Sequence, residues 1–104
     1  MSDLSKWAES DLLRGGTPEH LYLDLLKKVL TRLLFPEQGY DVGAREIGMD
    51  WPESGETMIG LKRLDNIEFC VADVVRRGVP GDLIETGVWR GGATIFMRAA
   101  LEAL

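Results

Sequence analysis

The residues with the clearest potential for chemistry lie at positions 83–94, where a carboxylate is followed by a glycine-containing turn. Glu85 closes a short apolar run, and a carboxylate there needs a partner because an unpaired buried charge is costly. Gly87 allows a tight turn at the end of a strand. Gly91 and Gly92 allow a ligand to approach the backbone, beside the free N–H groups of a helix that begins there. The pattern predicts a ligand site at the carboxyl end of a strand.

The spacing of these glycines distinguishes two kinds of ligand. The pattern Glu-x-Gly-x-x-x-Gly runs from Glu85 through Gly87 to Gly91, and Trp89 occupies the place of the middle glycine in the dinucleotide fingerprint Gly-x-Gly-x-x-Gly. Because a bulky residue would crowd a pyrophosphate, NAD fits poorly. A ligand with an amino-acid carboxylate and no pyrophosphate, such as S-adenosylmethionine (SAM), fits better. A glycine turn that serves chain packing alone is the alternative.

The N-terminal half of the chain is predicted to hold one helix and one long loop. Thr17 is a good N-cap, Pro18 suits the first helical position, and the helix ends at Pro36. Residues 1–16 form a polar arm before it. Residues 36–56, rich in Gly and Pro, form an irregular loop of the kind that often serves as a lid. The apolar face of the helix is predicted to consist of Leu21, Leu25, Leu26, Val29, Leu30, Leu33 and Leu34.

The C-terminal half is predicted to supply the elements that flank the glycine turn. A second helix runs from residue 58 or 60 to residue 77, and Gly78 is its left-handed C-cap. Residues 82–86 are the one convincing strand, and a last helix runs from Gly92 to residue 104. A strand followed by a helix is the opening of a βαβ unit, but one strand cannot form a sheet. The predicted class is therefore α/β with an incomplete sheet.

Composition and charge exclude several classes of function. The 104 residues are enough for one small domain, and 45% apolar with 28% charged residues is a globular balance. A net charge of −5 disfavours nucleic acid and anionic membranes as partners. The single cysteine, Cys70, excludes an internal disulfide, and one Cys with one His cannot build a structural zinc site. No signal peptide or membrane span is visible, so a cytoplasmic location is expected.

Two tracts give the sequence a family resemblance. Residues 56–66 and 78–92 together resemble the macrocin O-methyltransferase family, whose members use SAM and Mg²⁺ to methylate sugar hydroxyls of macrolides and related glycosylated natural products. Residues 21–27 resemble that family's N-terminal helix, so the resemblance covers most of residues 20–104. It implies N-terminal helices followed by the first strand–turn–helix of a Rossmann-like SAM methyltransferase fold. The implied units are an arm at 1–16, a helix and lid-like loop at 17–57, and a helix with the first βα unit at 58–104.

The resemblance also implies functional residues. Glu85, Gly87 and Gly91 belong to the SAM-binding first motif, with Trp89 and Thr94 beside it.

Three further residues are implied more indirectly. By similarity to the catechol-type methyltransferases, Met58 and Ile59 border the methionine portion of SAM, with core packing as the alternative. Trp51 lies where the family's loop approaches the sugar, and loop packing is its alternative. The family's Mg²⁺ ligands and catalytic aspartate are expected downstream of residue 104. The resemblance therefore implies no catalytic and no metal-binding residue within this chain.

The sequence therefore predicts the N-terminal part of a SAM-dependent O-methyltransferase that acts on a sugar hydroxyl and is inactive alone; whether this chain is itself an enzyme stays open. Its expected partners are a small-molecule glycoside and a second copy, bound through the N-terminal helices. The alternative is a non-catalytic helical module for interaction or dimerisation, left by truncation. Affinity for SAM favours the first hypothesis, and association without SAM binding favours the second. A dinucleotide-dependent oxidoreductase is a distant third.

Overall fold

The fold is given by a computed structural model that describes residues 17–37, 39 and 41–104. These residues contain four helices, which we number in chain order: α1 (Pro18–Leu30), α2 (Val42–Ile47), α3 (Gly60–Arg76) and α4 (Gly92–Ala103). The predicted polar arm at 1–16 lies outside the described residues. No described helix has both the length and the apolar character that a membrane span requires.

The prediction of a strand at 82–86, and with it an α/β class and a Rossmann-like arrangement, is wrong: the regular secondary structure of the described residues consists of helices, without a strand. Residues 82–85 have no regular secondary structure, and the side chain of Ile84 is 84% exposed. A strand exists through its hydrogen-bond ladder to a neighbour, and no ladder forms in the part of the chain that the structure describes. Apolar β-branched residues alone were therefore insufficient evidence for a strand.

The start of α1 follows the prediction, but its end and its buried face do not. The hydroxyl of Thr17 accepts a hydrogen bond from the backbone N–H of His20 at 3.2 Å, as expected of an N-cap. The helix ends at Leu30 rather than at Pro36, because Arg32 adopts a left-handed backbone with φ 62°. Its buried face is formed by Leu23, Lys27 and Leu30.

Four members of the predicted apolar face are instead exposed: Leu21 at 57%, Leu25 at 52%, and Val29 and Leu34 at 41% each. The prediction placed the core on the face richest in leucine. The chain buries Leu30 of that face and packs Leu26 partly against the core, but Leu23 and Lys27 are buried on the neighbouring face, where the lysine interrupts the apolar pattern.

The core lies where α1, α3 and α4 pack together. Its buried residues come from all three helices: Leu23, Leu30, Leu64, Val71, Phe96, Ala99 and Ala100. Full burial of a large apolar side chain such as Phe96 contributes about 1.5–3 kcal/mol. The predicted positions of α3 and α4 are confirmed, and Gly78 has the left-handed φ of 66° expected after α3.

The loop predicted at 36–56 contains a short helix, α2. The carboxylate of Asp41 caps it by accepting hydrogen bonds from the backbone N–H groups of Gly43 and Ala44 at 2.8 and 3.3 Å. The backbone at the end of α2 lies in close contact with the backbone at the start of α3. A Cβ atom at Gly60, whose φ is 85°, would lie 2.6 Å from the carbonyl oxygen of Arg45. Glycine at position 60 therefore permits both the turn into α3 and its close contact with α2.

Candidate functional site

The glycine turn and the segment before α3 form the walls of a small cleft. Among the residues that line it are five of the predicted site residues: Met58, Ile59, Glu85, Gly87 and Trp89. Its volume is about 60 Å³, whereas pockets that enclose a small organic ligand hold about 300 Å³ or more. The described residues thus bring five of the seven predicted cofactor residues together, in a cleft that is smaller than such a pocket.

The two predicted cofactor residues outside the cleft lining lie at the start of α4. Gly91 precedes the first helical residue and has a left-handed φ of 87°. The hydroxyl of Thr94 donates a hydrogen bond to Oε1 of Glu85. This contact supplies the partner that a carboxylate at position 85 was expected to need, and it joins the turn to α4.

The three glycines of the turn have different surroundings. A Cβ atom built at Gly87 or at Gly91 would meet nothing within 4 Å, so the backbone there is open to a ligand. Gly92 instead faces the protein. Its N–H donates to the carbonyl of Glu56 at 2.9 Å, and a Cβ there would lie 2.6 Å from Cβ of Thr57. One of the N–H groups predicted to be free is therefore engaged by the protein itself.

Two tryptophans meet beside the cleft. The ring centroids of Trp51 and Trp89 are 5.5 Å apart, with the planes at 70°, an edge-to-face contact. The guanidinium of Arg90 lies 4.2 Å from the ring centroid of Trp89, and its Nη1 donates to the carbonyl of Gly55 at 2.9 Å. Trp51 stays 68% exposed, so it packs on Trp89 along one edge and leaves most of its surface to solvent.

Arg45 organises the loop that carries Trp51, although the sequence analysis did not single it out. Its side chain is 2% exposed, and Nη1 donates to the carbonyl of Thr31 at 2.7 Å. Its Nε and Nη2 atoms contact the carboxylate of Asp50 at 2.7–3.0 Å, and Nη2 lies 2.9 Å from Oε1 of Glu37. The one sequence signal for this role was an arginine among several acidic residues.

Both charges of the Arg45–Glu37 pair are stabilised at neutral pH. Burial raises the pKa of Glu37, but hydrogen bonds from Ser54 and Arg45 outweigh it and lower this pKa from 4.5 to about 2. Burial also opposes the charge on Arg45, but Asp50 and Glu37 raise the pKa of its guanidinium. The loop therefore holds a network of paired charges rather than a titrating group.

A second cavity, of about 300 Å³, opens beside this loop. Four of the residues that line it are acidic, namely Glu37, Asp41, Asp50 and Glu53, and Arg45 and Trp51 lie beside them. Trp51 lines this cavity and Trp89 lines the cleft, so the tryptophan pair has one ring in each.

A larger groove, of about 600 Å³, lies away from the glycine turn. It is mainly apolar, and its walls include His20, Phe69, Asp73, Arg76, Ala103 and Leu104. None of the predicted site residues lines it. We place the candidate site at the smaller cleft, because the carboxylate and the open glycine backbone are there.

The described residues hold no group of three or more His, Cys, Asp or Glu side chains that could bind a metal ion. The Mg²⁺ that the family resemblance implies has no ligand set in this part of the chain.

Comparison with known proteins identifies the family. Residues 34–104 match the macrocin O-methyltransferase (TylF) family, and the chain belongs to that family. The expected family is thereby confirmed.

Three relatives carry more specific names. The chain is 56% identical over 92 residues to the 8-demethyl-8-(2,3-dimethoxy-alpha-L-rhamnosyl)-tetracenomycin-C 4'-O-methyltransferase of Streptomyces olivaceus, covering 80% of this chain and 35% of that protein. It is 46% identical over 98 residues to the mycinamicin III 3''-O-methyltransferase of Micromonospora griseorubida, covering 85% and 39%. It is 49% identical over 94 residues to the demethyldecarbamoylnovobiocin O-methyltransferase of Streptomyces niveus, covering 80% and 36%.

A solved structure agrees with these relatives. The O-methyltransferase NovP matches with a TM-score of 0.77 and 53% identity, over 82% of this chain and 37% of that one. The chain spans between 35% and 39% of the length of the three named relatives. It is thus homologous to part of the sugar O-methyltransferases of antibiotic biosynthesis.

Proposed function

We propose that this chain provides one wall of the SAM site in an enzyme that methylates a sugar hydroxyl of a glycosylated natural product. The observation that carries the proposal is the cleft in which Glu85, Gly87 and Trp89 face Met58 and Ile59. Membership of the family supports the class of reaction. The names of two relatives give a numbered O-methylation position, and one of these names includes a rhamnosyl group, which supports a glycoside as the acceptor.

The residues at the cleft suit SAM in charge and in shape. The carboxylate of Glu85, held by the hydroxyl of Thr94, places negative charge where the α-ammonium of the cofactor would lie. Open backbone at Gly87 and Gly91 allows close approach, and residues 58–59 add an apolar wall. When bound, SAM supplies an electrophilic methyl group on its sulfonium.

The sugar side of the site is proposed to include Trp51. Its ring is largely exposed, and an aromatic face can cover the C–H face of a sugar. The adjoining cavity presents carboxylates such as those of Asp41 and Glu53, which can accept hydrogen bonds from sugar hydroxyls. In this proposal, residues 17–57 form the helix and lid-like segment beside the sugar, and residues 58–104 form the cofactor wall. The part of the chain that the structure describes contains no group of three or more His, Cys, Asp or Glu side chains that could hold Mg²⁺.

The direct test uses the complete gene product that carries residues 1–104. Isothermal titration measures its affinity for SAM and for S-adenosylhomocysteine. Methyl transfer is then followed by mass spectrometry on mycinamicin III and demethyldecarbamoylnovobiocin, the two compounds for which relatives are named. We expect SAM to bind and at least one glycoside to gain a methyl group. A complete product that binds no SAM would overturn the proposal.

A matched pair of variants tests the cleft itself. Replacing Glu85→Gln removes the charge facing the cofactor and is expected to weaken SAM binding about tenfold, which corresponds to about 1.4 kcal/mol. Replacing Glu102→Gln on the exposed surface of α4 is the control, because Glu102 is 66% exposed and pairs with Arg98. Equal affinities in the two variants would place SAM elsewhere.

A second candidate function is supported by the exposed face of α1. Leu21, Leu25 and Val29 recur every four residues and form an apolar row that the described residues do not cover. A non-catalytic helical module would use such a row to bind another chain, including a second copy. Association that grows with protein concentration, is abolished by Leu25→Lys and occurs without SAM binding would favour this function over the first.

A further inference from the structure

The Trp51–Trp89 contact connects the two cavities of the candidate site. Trp89 lines the cleft of about 60 Å³ together with Glu85, and Trp51 lines the acidic cavity of about 300 Å³. The centroids of the two indole rings are 5.5 Å apart. A molecule that orders either ring therefore also restricts the position of the other.

The backbone of Trp89 has an unfavourable conformation. Its φ is 53°, in the left-handed region, where the Cβ atom of any residue other than glycine is crowded by the backbone. Among the described residues other than glycine, Arg32 alone shares a positive φ. Such conformations persist when surrounding contacts hold them, and they concentrate at functional sites.

The side chain of Arg90 contacts both the ring of Trp89 and a second segment of the chain. Its guanidinium covers the ring of Trp89 at 4.2 Å and also donates to the carbonyl of Gly55, in the loop that carries Trp51. A backbone hydrogen bond also joins the glycine turn to the segment that follows the Trp51 loop: the N–H of Gly92 donates to the carbonyl of Glu56 at 2.9 Å. Arg90 is thus a side chain that touches both the glycine turn and the Trp51 loop.

We propose that Arg90 is a positioning residue that couples glycoside binding to cofactor binding by holding Trp89 against the loop of Trp51. This inference rests on the proposed function, which places the cofactor at Trp89 and the sugar at Trp51. An ordered tryptophan pair favours both ligands, so each ligand raises affinity for the other. The coupling must be reciprocal, because it is a property of one thermodynamic cycle.

The experiment measures coupling in the complete gene product without turnover. S-Adenosylhomocysteine is titrated calorimetrically, first alone and then with a saturating concentration of whichever glycoside the wild-type protein methylates. We expect the glycoside to tighten cofactor binding in the wild-type protein by about fivefold or more, the range of typical couplings. Arg90→Gln is expected to bring this factor close to one. Arg90→Lys keeps the charge but cannot reproduce a planar contact on Trp89, so we expect it to lose most of the coupling as well.

Arg98→Gln is the matched control, because Arg98 is 76% exposed on α4 and pairs with Glu102. It should keep the full coupling factor. If Arg90 had a purely structural role, Arg90→Gln would lower the melting temperature and leave the coupling factor unchanged. If Arg90→Gln fails to fold, the Arg90→Lys protein gives the answer.

The failures of the two proposals are distinguishable. A wild-type protein that binds no S-adenosylhomocysteine, or methylates no glycoside, contradicts the proposed function and removes the basis of this inference. A wild-type protein that binds both ligands independently, or an Arg90→Lys protein with undiminished coupling, overturns the inference alone.

Discussion

The ammonium group of Lys27 lies 2.5 Å from Oε1 of Glu68, and both side chains are almost fully buried, at 2% and 4% exposure. The same ammonium lies 2.8 Å from Oδ1 of Asp65, so one cation on α1 is held by two carboxylates on α3. Burial lowers the pKa of Lys27, but the hydrogen bonds that its ammonium donates to Asp65 and Glu68 outweigh this effect and raise the pKa above 10.5. The interior of the helical core thus contains a paired charge.

Replacing Lys27→Met is expected to destabilise the protein by about 3–5 kcal/mol, because the buried carboxylate of Glu68 would lose the ammonium group that lies 2.5 Å away. The free energy of unfolding is measured by urea denaturation. Lys28→Met is the control, because Lys28 lies next to Lys27 but is exposed. The double replacement of Lys27→Met with Glu68→Leu should recover much of the loss. A single variant as stable as the control would contradict the importance of this pair.

The folding stability of the protein should decrease at low pH, because Glu37 becomes protonated there. The pKa of Glu37 in the folded chain is about 2, below its ordinary value of 4.5. A carboxyl group with a lowered pKa stabilises the fold fully above its unfolded value and loses that contribution as pH falls through the folded value. The loss is therefore expected between pH 4.5 and about 2. Melting temperatures across this range should fall less steeply in Glu37→Gln, whereas Glu19→Gln, at an exposed position on α1, should behave like wild type.

Replacement by alanine should affect folding stability strongly at one glycine of the turn and hardly at all at another. At Gly92 the new methyl group would meet Thr57 Cβ at 2.6 Å, so Gly92→Ala is expected to destabilise by about 1–3 kcal/mol. At Gly87 it would meet nothing within 4 Å, so Gly87→Ala should change folding stability by less than about 0.5 kcal/mol. Denaturant midpoints measure both effects. Under the proposed function, Gly87→Ala still weakens SAM binding, because its methyl group occupies the open backbone.

Arg45→Lys should loosen the loop of Trp51. A lysine has one ammonium group and cannot reach the carbonyl of Thr31 together with the carboxylates of Glu37 and Asp50. We expect a loss of about 1–3 kcal/mol in stability, because a buried hydrogen-bonding group loses its partner. Near-ultraviolet circular dichroism, which reports on coupled tryptophans, should lose intensity as well. An unchanged spectrum would show that Trp51 is held without Arg45.

The elements that could be predicted are those whose signals are local. The N-cap at Thr17 and the start of α4 at Gly92 follow from residues within one helical turn. The buried face of α1 could not be found in that way, because the partner of Lys27 on α3 is 38 residues away at Asp65. From the sequence alone, a lysine inside an apolar pattern is predicted to lie on the surface, because the distant carboxylates that pair with it are not known.

The same distinction applies to the candidate site. Glycine spacing placed Gly87 and Gly91 in the open turn, because backbone freedom is a property of the residue itself. The strand at 82–86 was predicted wrongly, since a ladder depends on a second segment that local sequence does not contain. Arg45 and Arg90 were missed for a related reason. Each donates a hydrogen bond to a backbone carbonyl group of another segment. Because every residue has a backbone carbonyl group, the sequence does not indicate which one an arginine will contact.

The packing of α1 against α4 also determines when the core can form during synthesis. Leu23 leaves the ribosome first, but the aromatic ring that covers the core belongs to Phe96, near the other end of the described residues. At ordinary translation speeds of 5–20 residues per second, the intervening chain takes roughly 4–15 s to be made. The core that α1, α3 and α4 share is therefore complete only after α4 has been synthesised.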